Sequence, residues 1–212
     1  MGESELGNVT QRIGIMGGTF DPIHYGHLVA AEEARVAFGL SRVVFVPSGH
    51  PPHKTHQAIS SGWDRYLMTM LAVLDNPHFD ISDTEVRREG PSFAIDTVRE
   101  FKRAYPEGTE FYFITGADAC LEILGWKDSS QLLAECRFIA ATRPGIPSSH
   151  LREEITRLYP GVTDRFSVLE VPALAISSTD IRSRVREARS IRYLVPELVR
   201  QYVERQGLYG RG

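Results

Sequence analysis

Two histidines stand three residues apart in a glycine-rich segment near the start of the chain, at His24 and His27. The segment covers residues 17–27 and begins with Gly17 and Gly18. Paired glycines let the backbone approach a phosphate without interference from Cβ atoms, and the amides at a helix start attract anions. In one helical turn both imidazoles would share a face. The pattern predicts a phosphate site. The alternative is a tight turn without a ligand, in which the histidines are packed or solvated.

A second candidate anion site lies near the end of the chain. Ser177, Ser178 and Thr179 precede a helical pattern, so their hydroxyls and the first amides of the helix can bind an anion. Arg182 follows one turn later, and its planar guanidinium suits the oxygens of a departing pyrophosphate. Taken alone, this segment is typical of an ordinary helix cap with a solvated arginine. The first motif favours the phosphate interpretation.

The common phosphate-binding fingerprints are absent from the sequence. No G-x-G-x-x-G follows the first predicted strand, and no G-x-x-x-x-G-K-[ST] occurs anywhere. Neither a dehydrogenase with the dinucleotide fingerprint nor a P-loop enzyme is therefore supported.

Short apolar runs alternate with longer amphipathic stretches, which predicts strands of a parallel sheet connected by helices. The predicted strands are 12–16, 42–46, 110–115, 137–141 and 166–171. The predicted helices are 28–38, with an entry near residue 25, then 63–74, 93–105, 128–135, 149–159, 179–188 and 196–206. We expect an α/β fold: a single Rossmann-like, doubly wound domain over residues 1–212, with a mostly parallel sheet, a helical C-terminal segment and a poorly ordered tail at residues 1–10.

Ligands of such sheets bind beyond the carboxyl ends of the strands, so the loops after Met16, Val46, Thr115 and Val171 should surround the site. Residues 47–61 are interrupted by prolines and read as a long loop. This loop holds histidines spaced three apart, which leaves a zinc site open, although no cysteine lies nearby to complete a tetrahedral set. Its histidines are His50, His53 and His56.

The composition of the chain limits the kinds of binding partner that we expect. The formal net charge of -3 gives no general positive field, so no nucleic-acid partner is expected. No signal-like start and no long apolar stretch are present, which predicts a cytoplasmic protein without a membrane partner. Cys120 and Cys136 are too few for a disulfide framework and are expected to be inert thiols. The oligomeric state stays open, with a homodimer as one alternative.

Residues 24–27 resemble the H-x-G-H signature of a nucleotidyltransferase superfamily, and residues 17–27 resemble its version in bacterial nicotinate mononucleotide adenylyltransferases. Residues 177–182 resemble the S-S-T-x-I-R motif of the same family. The resemblance implies that His24, His27 and Arg182 are catalytic. It further implies an ATP site, with Mg²⁺ carried on the ATP phosphates and no dedicated protein metal site. Its residues would be Gly17, Gly18, Thr19, Phe20, Gly116, Asp118, Ile176, Ser177, Ser178 and Thr179.

The acceptor side rests on further likenesses to this family. The segment from Gly116 to Asp118 resembles a G-A-D motif, and Trp126 could stack on a pyridine ring. Residues 51–54 resemble a P-P-H-K segment, which implies a phosphate contact for Lys54. Residues 91–97 resemble a P-S-Y-T-x-D-T segment beside the pyridine carboxylate, with Ala94 where that pattern has threonine. The implied acceptor residues are Lys54, Ser92, Phe93, Ala94 and Trp126.

These likenesses imply adenylyl transfer from ATP to nicotinate mononucleotide, giving nicotinate adenine dinucleotide and pyrophosphate in NAD biosynthesis. Alignment and charge neutralisation suffice for this reaction, so no covalent intermediate is expected. Two alternatives stay open. One is a related nucleotidyltransferase with another acceptor, either nicotinamide mononucleotide, because Ala94 removes a hydroxyl contact, or phosphopantetheine, against which Trp126 and the G-A-D segment argue. The other is a non-catalytic nucleotide sensor.

Overall fold

A computed structural model describes residues 11–52, 59–142, 148–172 and 175–210 of the chain. Within these residues it contains one sheet of six parallel strands in the order β3-β2-β1-β4-β5-β6. The strands are β1 (Arg12–Gly18), β2 (Arg42–Pro47), β3 (Phe79–Ile81), β4 (Glu110–Gly116), β5 (Arg137–Thr142) and β6 (Phe166–Glu170). This order places β1 and β4 side by side at the centre. From β1 the chain first adds strands towards one edge of the sheet, and from β4 it adds them towards the other edge.

Helices connect the strands and continue beyond the last one. They are α1 (Tyr25–Phe38), α2 (Gly62–Val73), α3 (Thr84–Arg87), α4 (Ala94–Ala104), α5 (Ala117–Leu121), α6 (Ser129–Glu135), α7 (Ser148–Leu158), α8 (Ser178–Arg186) and α9 (Glu197–Arg205). Helix α1 ends at Gly39, whose φ of 60° is the left-handed conformation that favours glycine. Helix α2 begins after Ser61, whose side chain accepts a hydrogen bond from the Asp64 amide.

The central strands are buried on both faces, as parallel strands covered by helices must be. In β2, Val43 and Phe45 belong to one hydrophobic cluster, whereas Val44 and Val46 belong to another. Successive side chains of a strand point to opposite faces, so the two clusters lie on the two sides of the sheet. The long apolar runs of the sequence therefore fill two cores.

The structure confirms the predicted fold class, and every predicted strand and helix is present with no end shifted by more than three residues. The strands of the described part are all parallel, where the sequence predicted a mostly parallel sheet. Three short elements were missed, namely β3, α3 and α5. They have three, four and five residues, too few to show a hydrophobic period.

Two other expectations can be compared with the structure. Cys120 and Cys136 are buried, and burial raises the pKa of each thiol to about 12, which confirms that both are inert at neutral pH. In the part of the chain that the structure describes, no helix has the length and apolar character needed to cross a bilayer.

Candidate active site

The site lies where the carboxyl ends of β1 and β4 meet. Strand β1 pairs with β2 on one side and with β4 on the other, and β4 continues to β5. The strand order reverses at this point, which leaves a crevice between the loops that follow the two strands. The loop after β1 carries the first histidine motif.

His24 and His27 are brought together by the start of α1. His24 is the residue before the helix and is 6% exposed, and His27 lies in the first turn. Their rings stack with centroids 3.7 Å apart, so the two imidazoles act on the same side of the helix start. The expectation that they share a face is correct.

A hydrogen bond fixes the proton of His27. Its Nδ1 accepts from the backbone amide of His24 at 3.2 Å. A ring nitrogen that accepts carries no proton, so in the neutral imidazole the proton lies on Nε2. His27 can therefore donate from Nε2 to a phosphate oxygen without first becoming charged.

The second motif is tied to the first across more than 150 residues. The Ser177 side chain accepts from the Asp180 amide and begins α8, while the Ser178 hydroxyl donates to the Pro22 carbonyl at 2.9 Å. Arg182 Nη1 donates to the Asp21 carbonyl at 2.8 Å. The start of α8 is thus fastened to the loop that leads into His24.

A cavity of about 320 Å³ lies between the two motifs. It is lined by Met16, His24, Gly26, His27, Ala30, Thr115, Gly116, Ala141, Val171, Pro172, Ile176, Ser177 and Ser178. We call it the histidine cavity. It combines imidazole and hydroxyl groups and the N-terminus of α8, which are groups that bind phosphate oxygens.

A second cavity of about 270 Å³ lies on the other side of the β1 end. Its lining residues are Gly17, Gly18, Thr19, Ser48, Pro51, Pro52, Glu85, Ser92, Phe93, Ala94, Phe113, Thr115, Ala119, Gly125, Trp126 and Lys127. We call it the acceptor cavity. Thr115, the last residue but one of β4, lines both cavities.

Aromatic rings and one ammonium shape the acceptor cavity. Trp126 contacts Phe113 edge to face, with ring centroids 5.8 Å apart. The Lys127 ammonium lies 4.6 Å from the centroid of the Phe93 ring and 3.3 Å from the Asp96 carboxylate. The arrangement offers an apolar space with the Lys127–Asp96 ion pair at its edge.

Comparison with known proteins shows the family to which this chain belongs. Residues 15–184 match the family model for cytidylyltransferase-like proteins. A protein of Moorella thermoacetica named "Probable nicotinate-nucleotide adenylyltransferase" is 56% identical over 93% of this chain and 91% of its own length. A protein of the same name from Thermoanaerobacter is 52% identical over 93% and 94% of the two chains. The chain belongs to the nicotinate-nucleotide adenylyltransferase family.

A solved structure shares the fold of this family member. It is a Plasmodium falciparum nicotinic acid mononucleotide adenylyltransferase complexed with NaAD, and it superposes with a TM-score of 0.77 at 21% identity, over 94% of this chain and 97% of the other. At this identity the likeness extends to the fold alone.

Several residues that the sequence predicted to bind ATP do not line the histidine cavity. Gly17, Gly18 and Thr19 line the acceptor cavity instead. Phe20 is buried, with its ring edge-on to His27 at 5.1 Å. Asp118 is exposed in the first turn of α5, and Thr179 is exposed and accepts from Arg182 Nη2 at 3.3 Å.

Three residues of the long loop after β2, for which the sequence predicted a role, lie outside the described residues. Lys54, His53 and His56 are not among the described residues, so the phosphate contact of Lys54 and the zinc hypothesis stay predictions. His50 is exposed. Within the described ranges no group of three or more His, Cys, Asp or Glu side chains is placed to hold a metal ion.

Sequence reasoning missed two buried ionisable residues beside the cavities, Arg65 and Glu85. Arg65 is fully buried, and Glu85 is 6% exposed. A pattern in the sequence could have revealed Arg65, because it lies on the apolar stripe of α2 with Met68, Thr69 and Ala72. A charge on such a stripe indicates a specific buried partner. Glu85 lies in the short helix α3, where no period is visible.

Proposed function

We propose that this chain transfers the adenylyl group of ATP to the phosphate of nicotinate mononucleotide. An oxygen of the acceptor phosphate forms a bond to the α-phosphorus of ATP, and the bond from that phosphorus to the bridging oxygen of pyrophosphate breaks. The products are nicotinate adenine dinucleotide and pyrophosphate. The curated relatives carry the name of this activity at 46–56% identity.

The observation that carries the proposal is that Thr115 lines both the histidine cavity and the acceptor cavity. ATP phosphates in the histidine cavity and a mononucleotide in the acceptor cavity would bring donor and acceptor phosphates to a common boundary. Holding two reactants in line is the main requirement of phosphoryl and nucleotidyl transfer.

The groups at the boundary suit this chemistry. A monoester phosphate has a second pKa near about 6 and is mostly dianionic at pH 7, so it attacks without a general base. The remaining demand is to stabilise negative charge on the transferring and leaving phosphates. His24 and the Nε2 proton of His27 are suited to this, and Ser177 and Ser178 add hydroxyl groups. Arg182 is not in the lining of either cavity and donates to the Asp21 carbonyl, so its phosphate contact stays a prediction.

ATP would enter as its magnesium complex. Imidazole, hydroxyl and amide groups bind phosphate oxygens rather than the ion, so the donor set of the histidine cavity fits a metal held mainly by phosphate and water. When bound, Mg²⁺ neutralises phosphate charge. We expect EDTA to abolish turnover and excess Mg²⁺ to restore it.

The pyridine ring would lie in the acceptor cavity beside Trp126. The ring's carboxylate would be received by the N-terminal end of α4, where the helix dipole is positive, close to Ala94 and Lys127. The Thr hydroxyl of the family pattern is missing at Ala94. The backbone and the Lys127 charge remain to favour nicotinate over nicotinamide.

The test is pyrophosphate release by the purified protein with MgATP and three acceptors: nicotinate mononucleotide, nicotinamide mononucleotide and phosphopantetheine. We expect nicotinate mononucleotide to be preferred. Equal rates with both pyridine nucleotides would make Ala94 a change that relaxes specificity. ATP binding without turnover on any acceptor would overturn the proposal in favour of a nucleotide sensor.

The role of the histidines is tested by His24→Ala, compared with wild type by circular dichroism and kinetics. We expect a native fold and a kcat reduced by about 10²–10³-fold, the effect of removing one preorganised donor to a developing negative charge. His78→Ala is the matched control, because His78 is exposed and far along the chain from both motifs. Full activity in His24→Ala would refute the assigned role.

A further inference from the structure

Arg65 is the largest fully buried side chain among the described residues, and the chemistry above does not use it. It lies one turn into α2, on the helix face that packs into the core. Burying a guanidinium away from water is costly unless its donors are satisfied. Its partners therefore show why the fold retains it.

The described partners of Arg65 are backbone carbonyls of three separate segments. Nη1 donates to the Thr19 carbonyl at 2.8 Å, Nη2 to the Gly49 carbonyl at 2.9 Å and Nε to the Ser60 carbonyl at 3.0 Å. Thr19 belongs to the loop after β1, while Gly49 and Ser60 stand near the two ends of the long loop after β2. One planar group thus joins the loops of both cavities.

Each of these carbonyls fixes the direction of the next amide. A trans peptide is planar, so the carbonyl of one residue and the N–H of the following residue point to opposite sides. With its carbonyl bound to Arg65, Gly49 directs the His50 amide away from α2. That amide donates to the Ser92 hydroxyl at 3.2 Å, and Ser92 lines the acceptor cavity.

The same geometry applies at the start of the first motif. The Thr19 carbonyl shares its peptide plane with the Phe20 amide, two residues after the paired glycines. By holding this carbonyl, Arg65 orients the peptide that precedes the segment leading to His24. The Gly18 carbonyl in turn accepts from the Ser48 amide at 2.9 Å, which ties the loops after β1 and β2 to each other.

The packing around the guanidinium leaves little room for another arrangement. A Cβ on Gly49 would lie 2.1 Å from the Glu85 carbonyl oxygen, so this backbone already touches α3. Burial lowers the pKa of Arg65, and the charge of Asp21 opposes this effect. The group nonetheless stays charged at neutral pH, because an arginine pKa is far above 7.

We infer that Arg65 is a positioning residue for the transfer reaction. Its fork of donors sets the peptide planes of two loops together: the loop after β1, which leads to His24 and which we call the phosphate loop, and the long loop after β2, which we call the acceptor loop. The inference rests on the proposed function. It requires the shape of the fork and not only its charge, since an ammonium is a point donor that cannot reach three carbonyls in one plane. Arg65→Lys therefore separates shape from charge.

The experiment measures kcat and KM for MgATP and for nicotinate mononucleotide in wild type, Arg65→Lys and Ile155→Ala. Ile155 is buried on α7, in the core cluster on the other face of the sheet, and its truncation is a control for lost stability alone. Assays are run at a temperature where circular dichroism shows all three proteins folded. We expect Arg65→Lys to lose at least tenfold in kcat/KM for both substrates, while Ile155→Ala keeps wild-type values.

Equal kinetic constants for Arg65→Lys and wild type would overturn the inference and leave Arg65 a purely structural residue. If Arg65→Lys does not unfold cooperatively, Arg65→Gln decides instead, because its neutral amide carries no buried charge and can still donate to a carbonyl. We then expect the same loss of at least tenfold in kcat/KM for both substrates. Wild-type kinetic constants in Arg65→Gln would also overturn the inference.

A binding measurement keeps this inference apart from the proposed function. Calorimetry with a non-hydrolysable ATP analogue reports on the phosphate loop without turnover. We expect Arg65→Lys to weaken this binding by at least fivefold relative to wild type. Wild-type protein that binds the analogue but transfers no adenylyl group would refute the proposed function alone, whereas unchanged binding and kinetics in Arg65→Lys would refute the positioning role alone.

Discussion

Lys127 offers a test of how the acceptor cavity distinguishes a carboxylate from an amide. Its ammonium lies at the cavity edge beside the Phe93 ring. Replacement by methionine keeps most of the apolar stem and removes the charge. We expect Lys127→Met to reduce the ratio of kcat/KM for nicotinate over nicotinamide mononucleotide by about fivefold, because a partly exposed charge interaction is worth roughly 1 kcal/mol at most.

The matched control is Lys102→Met. Lys102 lies on α4, its side chain is 45% exposed against 43% for Lys127, and it pairs with Glu135 away from the cavity. Its loss should leave the selectivity unchanged. A selectivity that is also unchanged in Lys127→Met would assign recognition of the carboxylate to the backbone amides of α4.

At the level of single residues, the sequence was sufficient where the chemistry is local. His24 and His27 are three residues apart, so their shared face follows from helix geometry alone. Ser177 caps α8 for the same local reason. Arg65 could not be assigned its partners in this way, because the carbonyl of Thr19 lies 46 positions away and no local rule brings it near.

The contact between α3 and α4 includes a buried carboxyl group, Glu85, whose protonation should affect the stability of the fold. Glu85 in α3 accepts a 2.6 Å hydrogen bond from the Thr97 hydroxyl of α4. Burial raises the pKa of Glu85, an effect that the Thr97 hydrogen bond opposes. The folded protein therefore binds this proton more tightly than the unfolded chain, in which the carboxyl group titrates near its ordinary pKa of about 4.3.

The sign of the resulting pH dependence follows from proton linkage. Between the unfolded pKa and the raised folded pKa the native state binds the extra proton, so stability decreases as pH rises, by at most about 1.4 kcal/mol per pH unit. Glu85→Gln keeps an oxygen for Thr97 and cannot ionise. We expect its melting temperature to exceed that of wild type by an amount that grows as the pH rises above 5.

Glu100 provides the opposite case on the same pair of helices. A hydrogen bond from Thr84 and the nearby Arg88 guanidinium lower the pKa of Glu100. Its charge stabilises the fold above the unfolded pKa, and this contribution is lost as pH falls through the lowered one. Glu100→Gln should therefore be destabilised at neutral pH and approach wild type in acid. Parallel melting curves for Glu85→Gln and wild type at every pH would contradict the assignment for Glu85.

The elements themselves were largely readable from the sequence. Runs such as residues 42–46 are apolar on both faces, and in a parallel sheet this is the expected strand pattern. Strand β3 was missed because its three residues pair only with β2 at the sheet edge. It forms because β2 offers a free edge at Val43 and Phe45, which is a property of the assembled sheet and not of residues 79–81.

Across the whole molecule, the C-terminal segment closes on the first motif. The Tyr209 hydroxyl donates to the Asp21 carboxylate at 2.7 Å, although 188 positions separate them, and Arg182 holds the Asp21 carbonyl. Asp21 is 2% exposed, and its Oδ2 has no hydrogen-bond partner among the described residues. No sequence pattern predicts such a contact, because it depends on how α9 returns to α2 after the sheet is complete.

Removal of this hydroxyl should affect both stability and catalysis. Tyr209→Phe leaves the buried Asp21 carboxylate with one donor fewer, so we expect a loss of about 1–3 kcal/mol in the free energy of unfolding. We also expect a reduced kcat, because Asp21 precedes His24 by three residues.

Tyr202→Phe is the matched control. It removes a hydrogen bond of 2.8 Å to Asp64 on α2, and the Tyr202 pKa is raised to about 12 by burial and by that carboxylate. Urea unfolding and pyrophosphate release should show a defect in both measurements for Tyr209→Phe and at most a small loss of stability for Tyr202→Phe. Equal kcat values in the two variants would mean that the C-terminal segment supports the fold without shaping the phosphate loop.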